Sequence, residues 1–402
     1  MNATEIVSDY KLISFVKKYY LMAICVIGLL IRFILILSVS WMNASDLQNY
    51  FWAGDQVVRD QSAYRLWAQN LAGPRADVLP LELAILSLVV GVGRSPHALR
   101  GFFLLGDVLV LFLAYRLLAD QPRRRALWLL LYALTPGPLY FFTLTPSDKP
   151  WILAGILAVL ELSRNLHRPR FCALAIVSTG LLAAFKWFGL FFTFPIAWAC
   201  GRQRIARLLM ALAGVGLIFG VTHLLWFPDW MVVYQFRRMR FGLPFHSGLA
   251  VLLQALGLPM PLLYLPLMAT SWIRVQYLYL RGRIRIHEAI VLSILSVLIW
   301  APDTTAQMLF WLTLLMLLVT SWETPLWAGL IFFSTTWMTL MAAAAIGQVI
   351  PGLPLVDHLA RLSGPYGGIR LALWSHLPLA LLALRILSFG WRSHEEDPQL
   401  AI

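Results

Sequence analysis

A carboxylate, Asp46, stands a few residues past the first long apolar run, in Trp41-Met42-Asn43-Ala44-Ser45-Asp46-Leu47-Gln48-Asn49-Tyr50. That position puts a base at a membrane surface rather than in hydrocarbon, where it meets a reactant arriving through lipid. Lys186, in Phe185-Lys186-Trp187-Phe188-Gly189, interrupts apolar residues on both sides. A charge in hydrocarbon costs about 2.5–3.5 kcal/mol, so a helix break near the bilayer boundary is expected there. A cation so placed suits a phosphate whose lipid tail stays in the membrane. Arg237, Arg238 and Arg240, followed by His246, form a second basic group. Guanidinium forks match a phosphate or diphosphate. A base flanked by anion-binding cations is the equipment for displacing a phosphate leaving group.

Each feature also has a plainer reading. Asp46 could be a solvated carboxylate or an N-cap for the next helix. Lys186 could snorkel to the interface, and the arginines could face lipid headgroups. Asp148, on the stiff turn Thr145-Pro146-Ser147-Asp148-Lys149-Pro150, could simply pair with Lys149. Asp55 and Asp60 follow Asp46 in the same loop, and Pro302-Asp303-Thr304-Thr305-Ala306-Gln307 makes a later turn that could line the same cavity. The histidines show no metal-ligand spacing, and neither metal nor cofactor is expected. Cys25, Cys172 and Cys200 lack zinc or redox-motif spacing and read as small core hydrophobes.

These residues need a scaffold, and composition says which. The chain has 402 residues, 60% hydrophobic and 13% charged, with mean hydropathy +0.75. Apolar stretches of bilayer-spanning length recur, which sets water-soluble readings aside. Candidate spans fall at 20–41, 99–118, 126–142, 151–163, 171–185, 188–200, 208–227, 249–272, 287–301, 306–321, 325–349 and 371–390. With a cytoplasmic N-terminus, 19 of the Lys and Arg residues fall in short inner segments and 12 in outer ones. The bias supports both termini inside and an even number of spans. The net charge of +13 is then a matter of sidedness, with no nucleic-acid partner implied.

The expected fold is all-α and polytopic, one integral-membrane domain over 1–402 with about 12 spans. Its first outer loop, 42–98, carries Asp46 and amphipathic helices; another, 228–248, is basic. The run Asp46 to Asp60 forms one such helix, with Tyr50, Phe51, Ala53, Val57 and Val58 toward lipid or protein. Stretch 79–93 is apolar but short, and reads as a re-entrant or surface-lying helix on the outer face.

In this order the features resemble the GT-C class of integral-membrane glycosyltransferases, and most nearly the glycosylphosphatidylinositol mannosyltransferase I family with its bacterial polyprenol-phosphate-mannose-dependent relatives. Three stretches carry the likeness. The first loop runs from Ser45 through Asp46, Tyr50 and Gly54-Asp55 to Gln61-Ser62-Ala63-Tyr64. The second is Phe185-Lys186-Trp187-Phe188-Gly189-Leu190-Phe191-Phe192-Thr193-Phe194-Pro195. The third is the late turn from Trp300 and Pro302 to Trp311. The first loop departs from the family by extra residues before Tyr50, and the Lys186 segment lacks a Pro right after its aromatic pair.

The resemblance implies an inverting transfer of a hexose, mannose by analogy, from a polyprenyl-phosphate donor. The acceptor would be a hydroxyl of a lipid-linked glycan, glycan or protein on the periplasmic, extracellular or lumenal face, in a bacterial cell membrane by analogy. Asp46 would be the general base. Lys186, Arg237, Arg238 and Arg240 would hold the lipid phosphate. Tyr50, Asp55, Tyr64, Asp148, His246, Asp303 and Gln307 would line the substrate site. A transporter or lipid-linked-sugar flippase is the competing class; it calls for ionisable residues inside spans and repeat symmetry. Arg32 and Asp107 are the main charges inside spans, and no repeat is evident. A non-catalytic partner subunit keeping the enzyme fold is a third.

Overall fold

The computed structural model describes residues 3–38, 45–71, 73–135, 138–139, 143, 148–201, 205–224, 229–233, 257, 260–300 and 314–318. Every regular element among them is an α-helix. In chain order α1 spans Ala3–Ser38, α2 Ser45–Val58, α3 Ala63–Gln69, α4 Pro80–Gly93 and α5 Pro96–Leu117. Then come α6 at Pro122–Leu134, α7 at Lys149–Ser163, α8 at Pro169–Phe185, the single turn α9 at Phe188–Phe191 and α10 at Thr193–Gly201. The last three are α11 at Ile205–Leu224, α12 at Met260–Leu280 and α13 at Ile286–Leu298.

The starts of these helices are written locally. Pro80, Pro96, Pro122, Pro150 and Pro169 occupy first-turn positions, where a missing N–H removes no bond and φ is already helical. The Ser62 and Ser95 hydroxyls accept from the N–H groups of Arg65 and His97, capping α3 and α5.

Packing separates two cores. The larger gathers α5, α6, α7, α8 and α13. Every residue of α13 from Ala289 to Leu298 is buried, as expected of a helix apolar all round. The Trp128 indole donates to the Leu314 carbonyl at 3.0 Å, tying α6 to the described piece at 314–318. The smaller core belongs to the first loop. It joins Leu47, Tyr50 and Ala53 of α2, Tyr64 and Trp67 of α3, and Leu83, Leu86 and Val90 of α4 to Val232 and Val233. Gly54 lets α2 and α4 approach closely: a Cβ there would meet Val90 Cγ2 at 3.0 Å and the Leu86 carbonyl at 3.1 Å.

Among the described residues two stretches, Tyr19–Ser38 and Pro96–Leu117, are long and apolar enough to cross a membrane. On α1, Met22, Val26, Leu30, Phe33 and Leu37 form an exposed apolar stripe, the sort of surface that needs non-aqueous cover. Shorter apolar helices lie at Pro80–Gly93, Pro169–Phe185, Leu208–Leu224 and Ile286–Leu298.

Some expectations change. The 79–93 stretch is a helix, but its Leu83, Leu86 and Val90 pack inward on α2, leaving Leu88 and Val92 exposed. Of the α2 residues expected toward lipid or protein, Tyr50 and Ala53 are buried and Val58 is exposed. Of the expected span at 249–272, the described part from residue 260 is helical, and that helix, Met260–Leu280, runs past the expected end; nearly all of 249–259 lies outside the described residues. Cys172 and Cys200 are a disulfide, with Cα atoms 5.5 Å apart, linking α8 to α10, whereas Cys25 is free. The sequence reading of small core thiols failed for this pair because spacing along the chain says nothing of helices that fold back side by side. The expected spans at 325–349 and 371–390, and nearly all of 306–321, lie outside the described residues.

Candidate functional site

Three helix ends converge beside the first-loop core. Glu82 lies in the first turn of α4, and Asp148 sits immediately before α7. Both carboxylates therefore meet positive helix ends, where anions are favoured. Lys186 follows the last residue of α8, at a negative helix end that favours a cation. The break after α8 is enforced by packing. Gly189 in α9 lies so tightly on the Thr179 carbonyl and the Ala183 backbone that no Cβ fits.

The Lys186 ammonium is 2.8 Å from Asp148 Oδ2 and 3.0 Å from Glu82 Oε2. The Lys149 ammonium is 2.5 Å from Asp148 Oδ1, and the Tyr50 hydroxyl donates to that oxygen at 3.3 Å. Both carboxylates are fully buried, while each lysine side chain keeps 15% of its exposure. Burial alone would raise the Asp148 pKa, but the two ammoniums outweigh it and hold this carboxyl below its usual range. Burial pushes Glu82 the other way, above the usual carboxylate range, with Lys186 opposing it and Asp148 adding to it. Glu82 Oε1 is buried with no hydrogen-bond partner. Burial, then the nearby carboxylates Asp148, Glu82, Asp46 and Asp77, keep the Tyr50 hydroxyl protonated well past its ordinary value, which preserves it as a donor.

Asp46 opens α2 one turn before Tyr50 and is exposed. It lines a pocket of about 540 Å³ with Gln48, Asn49, Phe51, Trp52 and Arg75. The Asn49 side chain accepts from the Arg75 N–H at 3.0 Å, pinning the 73–75 segment as the pocket's far wall. An open carboxylate thus stands one helical turn from Tyr50, whose hydroxyl bonds the buried ionic cluster.

The remaining predicted residues sort by position. Asp55 makes a surface ion pair with Arg59 at 2.8 Å, on the side of α2 away from the cluster. The Tyr64 hydroxyl donates to the Val78 carbonyl at 2.8 Å and braces the loop. Asp148 does pair with Lys149, and with Lys186 as well. Asp229 accepts from the Ser62 hydroxyl at 2.8 Å and pairs with Arg65 at 3.3 Å, so segment 229–233 is pinned to the first loop. Arg237, Arg238, Arg240, His246, Asp303 and Gln307 lie outside the described residues. No group of three His, Cys, Asp or Glu residues able to hold a metal occurs among the described residues.

Sequence reasoning missed Glu82. The signal was present in Val78-Leu79-Pro80-Leu81-Glu82-Leu83, a lone carboxylate among apolar residues. The desolvation argument applied to Lys186 applies equally there.

Comparison with known protein families and with curated protein sequences finds no match.

Proposed function

We propose that the chain is an inverting, polyprenyl-phosphate-sugar-dependent glycosyltransferase. The observation carrying this reading is an open carboxylate, Asp46, one helical turn from Tyr50, whose hydroxyl bonds the buried ionic cluster that contains Lys186. Asp46 takes the proton of an acceptor hydroxyl as that oxygen attacks the anomeric carbon. The bond from that carbon to the phosphate oxygen breaks, and the lipid phosphate leaves with the electron pair. Lys186 offsets the developing charge, helped by Arg237, Arg238 and Arg240 from the segment that follows Val233. The hexose is mannose by the family likeness, and the acceptor hydroxyl belongs to a glycan, a lipid-linked glycan or a protein.

In this reading the chain crosses a bacterial cell membrane about 12 times, with both termini cytoplasmic. The described residues separate in keeping with that path. Asp46, Glu82, Asp148, Lys186 and Asp229 gather at one end. Away from them, Arg116 pairs with Glu161 and Arg164 bonds the Leu117 carbonyl. The flippase reading is weaker because the buried ion pair between candidate spans, Arg32 with Asp107, is closed by backbone carbonyls.

The test is Asp46→Asn in the full chain, given a labelled polyprenyl-phosphate sugar. Donor binding should persist while transfer falls by about 10²–10⁴-fold. Undiminished transfer would end the proposal.

A further inference from the structure

The cluster of Glu82, Asp148, Lys149 and Lys186 holds two carboxylates and two ammoniums within ion-pairing distance. With all four ionised it has no net charge. A lipid-linked sugar phosphate is a phosphodiester and brings one negative charge. A buried, neutral cluster does not accept an anion without a compensating positive charge. Asp148 is poorly suited to supply it, because two ammoniums and the Tyr50 hydroxyl all stabilise its ionised form.

Glu82 is suited. One of its oxygens faces Lys186, and the other is buried with no donor to satisfy it. A charge on that orphaned oxygen is disfavoured, and a proton there removes the conflict. We propose that the cluster receives a phosphodiester in the state where Glu82 is protonated. Glu82 takes one proton from water, its hold on Lys186 loosens, and the Lys186 ammonium turns to the incoming phosphate. Charge balances: one proton in, one anion in. This rests on the reading of Lys186 as the donor-phosphate site, and gives that site a protonation requirement.

The groups facing Glu82 are Lys186 at the end of α8 and Asp148 and Lys149 at the start of α7. Tyr50 on α2 and Tyr64 on α3 both sense its charge. Asp46 and Asp77 stand nearby through Tyr50. Only Glu82 combines full burial, a raised titration range and an oxygen without a partner.

The experiment uses the full chain in lipid nanodiscs. The probe is a polyprenyl methyl phosphodiester, whose single charge does not change with pH, and the uncharged polyprenol is the control. Affinity is measured from neutral to alkaline pH, and calorimetry in buffers of different ionisation heat counts protons. Wild type should lose affinity by about tenfold per pH unit on the alkaline limb, taking up about one proton per probe there. Glu82→Gln should bind without proton uptake and without that limb. An unchanged profile in Glu82→Gln would overturn the proposal. So would wild-type binding with no proton uptake at alkaline pH, a result that needs no variant and leaves the Lys186 site standing. Equal binding of phosphodiester and polyprenol would remove the Lys186 phosphate site itself, and this proposal with it.

Discussion

Two buried ionic groups stand out among the described residues, and they are built differently. In one, Arg32 on α1 reaches Asp107 on α5 at 3.6 Å. Its guanidinium also donates to the carbonyls of Gly28 at 3.2 Å, Ala133 at 2.8 Å and Tyr132 at 2.6 Å, and the Tyr132 hydroxyl closes on Asp107 at 2.5 Å. These groups come from the last third of α1, the middle of α5 and the last turn of α6, and fasten those helices together. In the other, Glu82, Asp148, Lys149 and Lys186 come from helix ends, keep partly exposed lysines, and leave one carboxylate oxygen without a partner. Tyr50, which bonds Asp148 of this group, lies one turn of α2 from Asp46, which lines an open pocket. A closed group serves architecture; an unfinished one beside a cavity has capacity for a ligand.

That contrast can be broken experimentally. The largest stability loss belongs to the closed group. Asp107→Ala strands a buried guanidinium and should cost about 3–5 kcal/mol, read by thermal unfolding in nanodiscs. Lys186→Met should cost less, about 1–3 kcal/mol, because Glu82 can protonate, yet it should abolish phosphodiester binding. If Lys186→Met unfolds the protein as severely as Asp107→Ala, the two groups are alike and the contrast fails. Gly189→Ala should cost about 1–3 kcal/mol by forcing α9 off α8 and weaken probe binding by moving Lys186; stability without altered binding would uncouple the break from the site. Arg65→Ala removes an exposed pair with Asp229 and should stay within about 1 kcal/mol. The disulfide tests orientation. Cys172 begins α8, about 21 Å along the axis from Lys186, and cytoplasmic thiols are normally kept reduced. Alkylation of both cysteines in unreduced cells fits a cytoplasmic position for that end; protection would favour the reverse orientation.

The helical character and most helix positions were legible in the sequence because apolar runs and first-turn prolines are local signals. The helix from Asp46 was legible too, through the Ser45-Asp46 start and the spacing of Tyr50 and Ala53. Lys186 drew notice as a charge among aromatics. What was not legible was pairing. Nothing near Lys186 in sequence names Glu82, 104 residues away, as its partner. The Cys172–Cys200 bridge and the anchoring of Asp229 on Ser62 depend likewise on which helices lie together. Asp55 looked equivalent to Asp148 as a second acid, but helix phase turns it to Arg59 at the surface.

The spread of the cluster along the chain bears on biogenesis. Glu82 and Asp148 are synthesised well before Lys186; Asp148 has Lys149 beside it from the start, whereas Glu82 must wait in water or in the translocon for its counterion. A nascent chain halted before α8 would lack both Lys186 and the Val232–Val233 edge of the first-loop core, a form that quality-control proteases could distinguish from the mature protein.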